Sequence, residues 1–238
     1  MTSKNPGQGV AAKEAPQDRE SIRDFISMAA HDLREPLRAI RLGARLLSAE
    51  GGERSAENTA QGTRYLVDGT QRLETLIRDI AEYCYEEVRE PEFRETDVEC
   101  VLLEAKTELA VEIKSSAAKI THDPLPTLRA NSASLAAVFR CLIGNACKFR
   151  SDAPCVIHVG ALQDAGEWTF SVRDNGVGFD PTYSSRIFRP FERLNGKQYP
   201  GSGLGLTLAR KVIEQHGGRI WAESSPGHGT AIHFTLPG

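Results

Sequence analysis

Two long amphipathic runs near the N-terminus constrain the fold more than any other feature of the sequence. In the first run, apolar residues stand three or four positions apart: Ile22, Ile26, Ala29, Leu33, Leu37, Ile40, Ala44 and Leu47. In the second run, the corresponding stripe consists of Leu66, Leu73, Leu76, Ile77, Ile80 and Cys84. Such spacing places each set on one side of an α-helix. We therefore predict two helices, which end near residues 49 and 88 and are joined by a short turn.

A single helical hairpin cannot bury two long apolar stripes. Pairing with the hairpin of a second copy, in a four-helix bundle, would cover both stripes, so we predict a homodimer through residues of about 20 to 90. The alternative is that both stripes pack on the rest of the same chain. Residues 1–18 are polar and lack periodicity, which predicts a disordered tail.

The pattern changes after residue 92. The stretches CVIHVGAL, WTFSVRD, GGRIWAES and TAIHFTLP are typical of strands, and SASLAAVFRCLIGNACKF and GLGLTLARKVIEQHGG are typical of helices. Thr96 to Glu99 has capping-box spacing and predicts a helix that ends near residue 116. KITH and PTLRA indicate short strands or connections. The fold class is therefore predicted as α+β, with a sheet covered by helices on one face at residues 93–238.

Bulk properties exclude several classes of protein. The formal net charge is -3 with acidic and basic residues interspersed, which argues against nucleic-acid binding. No apolar run approaches the length of a membrane span, and no signal-peptide core is present. The five cysteines are scattered without metal-ligand spacing. They are more typical of reduced thiols than of a disulfide framework, so we expect a cytoplasmic protein.

An ionisable pair, His31 and Asp32, interrupts the first amphipathic run. His31 falls beside the apolar stripe, so its ring is predicted to reach solvent. Pro36 cannot donate to the carbonyl of Asp32 and is predicted to bend the helix there. Taken alone, this stretch is typical of a surface histidine on a kinked helix.

Polar residues of the second half of the sequence suggest a ligand-binding site. Asn145 and Lys148 share one helix face, where they could offer an oxygen to Mg²⁺ and a positive charge to phosphate. Asp174 ends a strand and could accept a hydrogen bond from an exocyclic amine such as that of adenine. The alternatives are a helix turn with solvated polar groups and an ordinary Asp-Asn-Gly turn.

Glycines open the helix of PGSGLGLTLA, and the free N–H groups of a helix N-terminus favour phosphate. The segment follows no strand of a βαβ unit and lacks a Gly-Lys-Ser/Thr ending, which disfavours a Rossmann site and a P-loop. IFRPFERLNGKQY, just before it, suits a lid that packs at one end and moves at residues 195–200. An ordinary surface connection is the alternative.

Five of these stretches occur in a characteristic order: AHDLREPL, CLIGNACKF, DNGVGFD, IFRPFERL and GSGLGLTLA. From about Ser21 to Pro237 the chain resembles the transmitter module of a histidine protein kinase of the phytochrome-type sensor subgroup. The five stretches look like the H-box, N-box, first glycine box, F-box and second glycine box. The resemblance implies a dimerisation and phosphoacceptor domain at 19–92 and an ATP-binding domain of the Bergerat type at 93–238.

The resemblance also implies a reaction. His31 would accept the γ-phosphoryl group of ATP, while Asp32 holds the N–H of its imidazole and stabilises the developing cation. Arg193 matches a lid position that can reach the γ-phosphate. The phosphoryl group would then pass to an aspartate in the receiver domain of a separate response regulator. An upstream sensor domain or a partner protein would supply the signal.

Binding roles follow from the same resemblance. It assigns Asn145 to Mg²⁺ as the metal ligand, Lys148 to phosphate and Asp174 to the adenine amine. It assigns four glycines to the nucleotide cleft: Gly176, Gly178, Gly203 and Gly205.

Two residues depart from the family pattern. The first N-box position is usually asparagine and is Cys141 here, a poor hydrogen-bond partner that would weaken ATP turnover. Glu35 stands where kinases with phosphatase activity usually carry Thr or Asn, so phosphatase activity is expected to be weak. A degenerate kinase that acts as a non-catalytic dimeric signalling scaffold is therefore the rival interpretation. An ATPase clamp or protein-serine kinase of the same fold would not need the hairpin.

Overall fold

A helical hairpin forms the N-terminal part of the computed structural model, which describes residues 16–48, 56–194, 199 and 201–238. Helices α1 (Pro16–Ser48) and α2 (Ala56–Val88) confirm the two predicted helices. The predicted turn and most of the predicted tail lie outside the described residues. α1 continues through Pro36 without ending. In the described part of the chain, no helix combines the length and apolarity needed to cross a bilayer.

Glycines set the close approach of α1 and α2. A Cβ atom on Gly43 would lie 2.5 Å from the carbonyl oxygen of Gly62, and one on Gly69 would lie 2.7 Å from Cγ1 of Ile40. Real Cβ atoms do not approach other atoms so closely, so a larger residue at either position would push the helices apart. Glycine destabilises a helix interior by about 1 kcal/mol relative to alanine. It is used here because only a residue without a Cβ atom lets the two helices come so close.

The second half of the chain folds as a sheet with helices packed on it. Its helices are α3 (Val98–Glu108), α4 (Ala110–Ser116), α5 (Ser132–Lys148) and α6 (Gly205–Gln215). Its strands are β1 (Arg94–Asp97), β2 (Lys119–His122), β3 (Thr127–Ala130), β4 (Val156–Asp164), β5 (Glu167–Asp174), β6 (Ile220–Ser224) and β7 (Thr230–Pro237). Five strands form a sheet in the order β2-β4-β5-β7-β6, and β1 pairs with β3 separately. This arrangement confirms the α+β class.

Aromatic rings join α5 to the centre of the sheet. Phe170 and Phe234 stand side by side on β5 and β7 and stack with ring centroids 5.0 Å apart. Phe139 of α5 meets the ring of Phe234 edge-on at 5.8 Å. All three side chains are fully buried. Because α5 also carries predicted site residues, this packing fixes their position relative to the strand ends.

The capping prediction at the start of α3 was wrong by one residue. Asp97, not Thr96, caps the helix, since its Oδ1 accepts from the N–H groups of Glu99 at 2.9 Å and Cys100 at 3.4 Å. Thr96 instead belongs to β1, and its hydroxyl donates to the carbonyl oxygen of Ala130 at 3.0 Å. Pairing with β3 therefore takes Thr96 out of the capping position. The predicted helix is also divided, because α3 ends at Glu108 and α4 follows.

We predict that Gly43→Ala lowers the free energy of unfolding of the hairpin by about 1–2 kcal/mol, because overpacking against a rigid carbonyl outweighs the gain in helix propensity. Gly144→Ala is the control. It also lies inside a helix, but its nearest neighbour would be Cδ2 of Leu109 at 3.7 Å. That change is expected to stabilise the protein. Calorimetry without nucleotide measures both, and a higher melting temperature for Gly43→Ala would contradict the close-approach argument.

Candidate functional site

A cavity of about 420 Å³ opens between α5, the N-terminal end of α6 and the hairpin helix α2. Its volume falls within the range of small-molecule sites, about 300–1,000 Å³. Most of the predicted binding residues line it: Asn145, Lys148, Asp174, Gly178, Arg193, Gly203 and Gly205. The structure therefore brings together residues that are up to 60 positions apart in the sequence. His31, Asp32 and Gly176 are not part of the lining.

Lys148 is the cation at the end of α5. Its ammonium lies 4.4 Å from the centre of the Phe149 ring. Burial lowers the pKa of Lys148 to about 8, and the positive charge of Arg193 adds to the shift. The side chain is therefore only partly protonated at slightly alkaline pH. An anion that binds beside it would draw the proton back, which suits a phosphate-binding lysine.

Asp174 lies at the opposite side of the cavity, at the end of β5. Its Oδ1 accepts two backbone hydrogen bonds, from Gly176 at 2.8 Å and Thr230 at 3.2 Å. Burial raises the pKa of this carboxyl group, and the two bonds oppose the shift. Within the described residues, no hydrogen bond is formed by Oδ2. Asp174 is thus oriented by the protein while one oxygen stays available to an N–H group of a ligand.

Gly176 acts on the site through Asp174. Besides the N–H that it donates to that carboxylate, it lies against the backbone of Phe149, where a Cβ would be 2.4 Å from the carbonyl oxygen. Gly178 has a φ of 63° and a Cβ there would be 2.1 Å from the carbonyl oxygen of Ser225. These two glycines therefore allow chain segments to pack closely behind the cavity.

The segment before α6 forms the second wall. Gly201 and Gly203 have φ angles of 142° and 80°, which favour glycine. α6 begins at Gly205, and its N-cap residue, Leu204, makes no side-chain capping bond. The first backbone N–H groups of α6 therefore lack a capping side chain, and they lie at the end of the helix that faces the cavity. Such an end attracts anions.

A carboxylate from the hairpin lies at this anion-attracting end. Asp79 of α2 lines the cavity and accepts a hydrogen bond from the Ser202 hydroxyl, at 2.5 Å from Oδ2. Its negative charge also raises the pKa of Lys148 against the effect of burial. Asp79 thus interacts with both walls that were predicted to hold phosphate. A bound phosphate would compete with it for the same partners.

Cys141 lies on the same face of α5 as Asn145. Burial raises the pKa of its thiol to about 12, with Asp79 and Glu82 adding to the shift. The Asn145 amide nitrogen lies 3.7 Å from the sulfur, and the sulfur is 2.9 Å from where a Cβ on Gly205 would stand. The thiol is therefore neutral and fills the contact between α5 and α6.

A magnesium ion would depend on few protein atoms here. In the described part of the chain, no three His, Cys, Asp or Glu side chains come together as a metal site. Asn145 lines the cavity near Lys148 and offers a neutral oxygen. Mg²⁺ is commonly held by one or two protein groups together with substrate phosphates, so the residues fit an ion that arrives with a nucleotide.

Arg193 lies at the edge of the predicted lid. Its guanidinium donates to the carbonyl oxygen of Tyr199 at 2.6 Å, and the Tyr199 ring stands 4.9 Å from the Phe149 ring. Burial lowers the pKa of Arg193, as does the nearby charge of Arg72. Residues 195–198 and 200 of the predicted lid lie outside the described residues.

His31 is exposed, as predicted, with 82% of its side chain accessible. Its Nδ1 lies 3.0 Å from Oδ1 of Asp32. That contact leaves Nε2 as the nitrogen that faces away from the carboxylate. Glu35 forms an ion pair with Arg72 at 2.8 Å, so its charge is balanced by the neighbouring helix.

Sequence reasoning missed Asp79 and Thr230. Thr230 donates a backbone N–H, which leaves no trace in the residue type. Asp79 belongs to the polar side of α2, and nothing in its local pattern shows that this side meets a cleft more than 120 residues further along the chain. Ser202 lies within the stretch GSGLGLTLA, but no role was predicted for it. Its hydroxyl oxygen accepts a hydrogen bond from the N–H of Leu204 at 3.0 Å, which is typical of a Ser turn.

Comparisons with known proteins match both halves of the chain. The model of the His Kinase A (phospho-acceptor) domain matches residues 21–83. The model of the histidine kinase-, DNA gyrase B-, and HSP90-like ATPases matches residues 130–238. The two matched regions contain the hairpin with His31 and the domain with the cavity.

Relatives and solved structures extend these matches. Cyanobacterial phytochrome A of Nostoc sp. is 40% identical over 227 residues, which is 95% of this chain and 30% of the phytochrome. A crystal structure of full-length ShkA in complex with AMPPNP is 26% identical, with a TM-score of 0.62, over 90% of this chain and 45% of that one. Histidine kinase ThkA in complex with response regulator protein TrrA is 22% identical, with a TM-score of 0.70, over 93% and 63%.

We predict that affinity for Mg-ADP falls as pH rises above about 8. The ammonium form of Lys148 attracts phosphate and the neutral amine does not, and its pKa in the free protein is lowered to about 8. Above that pH, binding requires proton uptake, so affinity should fall by up to about tenfold per pH unit. Calorimetry in buffers of different ionisation enthalpy measures this uptake. Lys148→Arg stays protonated and should remove it; uptake that persisted there would contradict the assignment.

We also predict that Asp79→Asn tightens nucleotide binding about three- to tenfold, because it removes a negative charge that competes with phosphate. Glu87→Gln is the matched control. Glu87 lies on the same helix and pairs with Lys211 outside the cavity, so its neutralisation should leave affinity unchanged. Titration with Mg-ADP compares the variants. Weaker binding to Asp79→Asn, or equal tightening in both, would contradict competition at the phosphate site.

Proposed function

The chain belongs to the histidine kinases, and from that premise we propose that it transfers the γ-phosphoryl group of ATP to His31. The single observation that carries this proposal is the shared cavity of Asn145, Lys148 and Arg193 at the N-terminal end of α6, beside a hairpin with an exposed histidine. Transfer of a phosphoryl group depends mainly on positioning and on positive charge around the equatorial oxygens. Both are available from these residues.

The roles of His31 and Asp32 follow from their contact. Nδ1 carries the proton and donates it as a hydrogen bond to Asp32, so Nε2 holds the lone pair that attacks phosphorus. The bond from the γ-phosphorus to the bridging oxygen breaks as the N–P bond forms, leaving ADP and a phosphohistidine. The ring gains positive charge during this step, and the carboxylate of Asp32 stabilises it.

The remaining residues would bind the nucleotide. Oδ2 of Asp174 would accept the exocyclic amine of adenine, and Lys148 and the α6 N-terminus would hold the phosphates. Asn145 would supply an oxygen to Mg²⁺, which neutralises phosphate charge when bound. Arg193 would approach the transferring group from the lid side. ShkA, which has the same fold, is named in complex with AMPPNP, and this supports a nucleotide in the cleft.

A dimer is the proposed state of the hairpin. Apolar side chains of both stripes remain exposed in the described chain: Ile22 56%, Ile26 60%, Leu37 45% and Ile77 55%. The other described residues of the chain do not cover them, which supports pairing with a second hairpin over the alternative of packing within one chain.

The phosphoryl group of His31 is proposed to pass to an aspartate of a response regulator. ThkA is named in complex with such a regulator, and the resemblance of sequence motifs points the same way. The chain spans 30% of the length of the phytochrome that it matches. The free thiols of Cys84 and Cys100 are exposed and support a cytoplasmic location.

The rival proposal is a dimeric scaffold without catalysis. Cys141 favours it, because a neutral thiol stands where the family usually carries an asparagine amide. The charged and hydrogen-bonded groups of the cavity favour the enzyme. Phosphatase activity is proposed to be weak, because Glu35 is a charged partner of Arg72 and does not offer the neutral group that orients an attacking water.

We predict that incubation with labelled Mg-ATP gives a label that is lost in acid and retained in alkali, and that His31→Gln abolishes it. His122→Gln is the control, because His122 is also exposed but lies on β2 of the other domain. It should leave labelling unchanged. No label on the wild type would favour the scaffold. An acid-stable label, or one that persisted in His31→Gln, would contradict the assignment of the acceptor.

A further inference from the structure

We propose that the cleft phosphorylates His31 of its own chain and not that of the partner subunit. This inference rests on the proposed kinase function and names the acceptor that the cleft serves. The docking between the hairpin and the catalytic domain within one chain carries it.

Acidic residues of α2 hold the catalytic domain of the same chain. Glu82 pairs with Arg140 of α5, and Glu87 pairs with Lys211 of α6. Glu86 is buried and accepts from the Ser134 hydroxyl at 2.9 Å. The face of α2 that carries these residues, with Asp79, is called the docking face below.

Aromatic rings add a contact from α1. Phe25 stacks on Tyr83 of α2 at 4.8 Å and meets the ring of Phe191 at 5.4 Å. Phe191 belongs to the segment that leads into the predicted lid. Both helices of the hairpin therefore contact the catalytic domain near its cleft.

The connection between the domains is short and anchored. Residues 89–93 join α2 to β1, a length of at most about 18 Å when extended. Its last part is already fixed to the catalytic domain, because Phe93 packs edge-on against His216 at 4.9 Å and the Glu92 carbonyl accepts from Asn131 at 3.3 Å. The catalytic domain is thus held beside the C-terminal end of its own α2.

One end of the cleft lies at the height of His31. Pro36 of α1 lies against Gly69 of α2, and continuing the antiparallel register places His31 level with Glu74. Thr75, the next residue, lines the cavity. The nearest part of the cavity lining on α2 and the acceptor therefore differ by about one residue, or about 1.5 Å, along the hairpin axis, and the lining continues to Glu82.

The cleft also lies on the correct side of α1. Asp32 stands seven positions after Phe25 and so shares its face within about 20°. Its negative charge and that of Glu35 raise the pKa of Arg193 against the effects of burial and Arg72. His31 is one position, or about 100°, from this face and lies beside Asp32, so a rotation of α1 would turn Nε2 towards Arg193.

Dimerisation leaves this docking intact. On α2 the exposed apolar stripe includes Ile77 and Cys84, and the docking face includes Asp79, Glu82 and Glu86. Ile77 is two positions from Asp79, and Cys84 is two positions from Glu82 and from Glu86. Two positions correspond to about 200° around a helix. The partner hairpin would therefore bind the side of α2 opposite to the catalytic domain, and the cleft would remain over its own chain.

Two heterodimers test the proposal, each made by co-expression of full-length chains with different tags and isolated by both tags. The first pairs His31→Gln with Asn145→Ala, so that one chain lacks the acceptor and the other lacks the metal ligand. The second pairs a wild-type chain with one carrying both changes. Asp174→Asn replaces Asn145→Ala if the homodimer of the latter still incorporates label.

Reaction within one chain predicts background label on the first heterodimer, and about half of the wild-type homodimer's label on the second. Reaction between chains predicts the reverse. Label on the first heterodimer, label on both or label on neither would each overturn the proposal, provided that the wild-type homodimer is labelled. If that homodimer is unlabelled, the kinase function itself has failed.

Discussion

The contact between α2 and the catalytic domain forms one side of the cleft. Its ion pairs are only partly buried: the side chains of Glu82 and Arg140 are 32% and 33% accessible. Pairs of this kind contribute about 0–1 kcal/mol each. The buried bond between Glu86 and Ser134 is stronger, because breaking it would leave a desolvated carboxylate. The dock is therefore held by the buried Glu86 near the interdomain connection, and Asp79 lies at its other end, where it lines the cleft.

The place of Asp79 in the cavity lining would couple nucleotide binding to the position of the hairpin. Phosphates bound at Ser202 and Lys148 would compete with Asp79 for the same groups, so each would disfavour the other by an equal free energy. The contacts of Glu86 and Glu87 do not involve the cavity lining, and nucleotide need not disturb them. The contact of Asp79 with Ser202 can thus break while the catalytic domain stays attached at the other end of the docking face.

The secondary structure and much of the cleft were predictable because they depend on local pattern. Helical periodicity located both hairpin helices, and residue types in short motifs located Asn145, Lys148 and Asp174, which the fold brings to one cavity. Predictions failed where a distant segment decided the outcome. Thr96 had the local features of a helix cap, but it forms part of β1 and pairs with β3 instead. Asp79 had no local signal, because its partner lies on another domain.

Phe191 shows how the cleft, the hairpin and the lid are connected. Its φ is 61°, which is rare for a residue with a side chain and costs about 1–3 kcal/mol. Two contacts hold it there: its ring meets Phe25, and its backbone lies against Gly203, where a Cβ would be 2.8 Å from the Phe191 carbonyl carbon. Phe191 therefore joins α1 to the glycine-rich wall that would hold the phosphates.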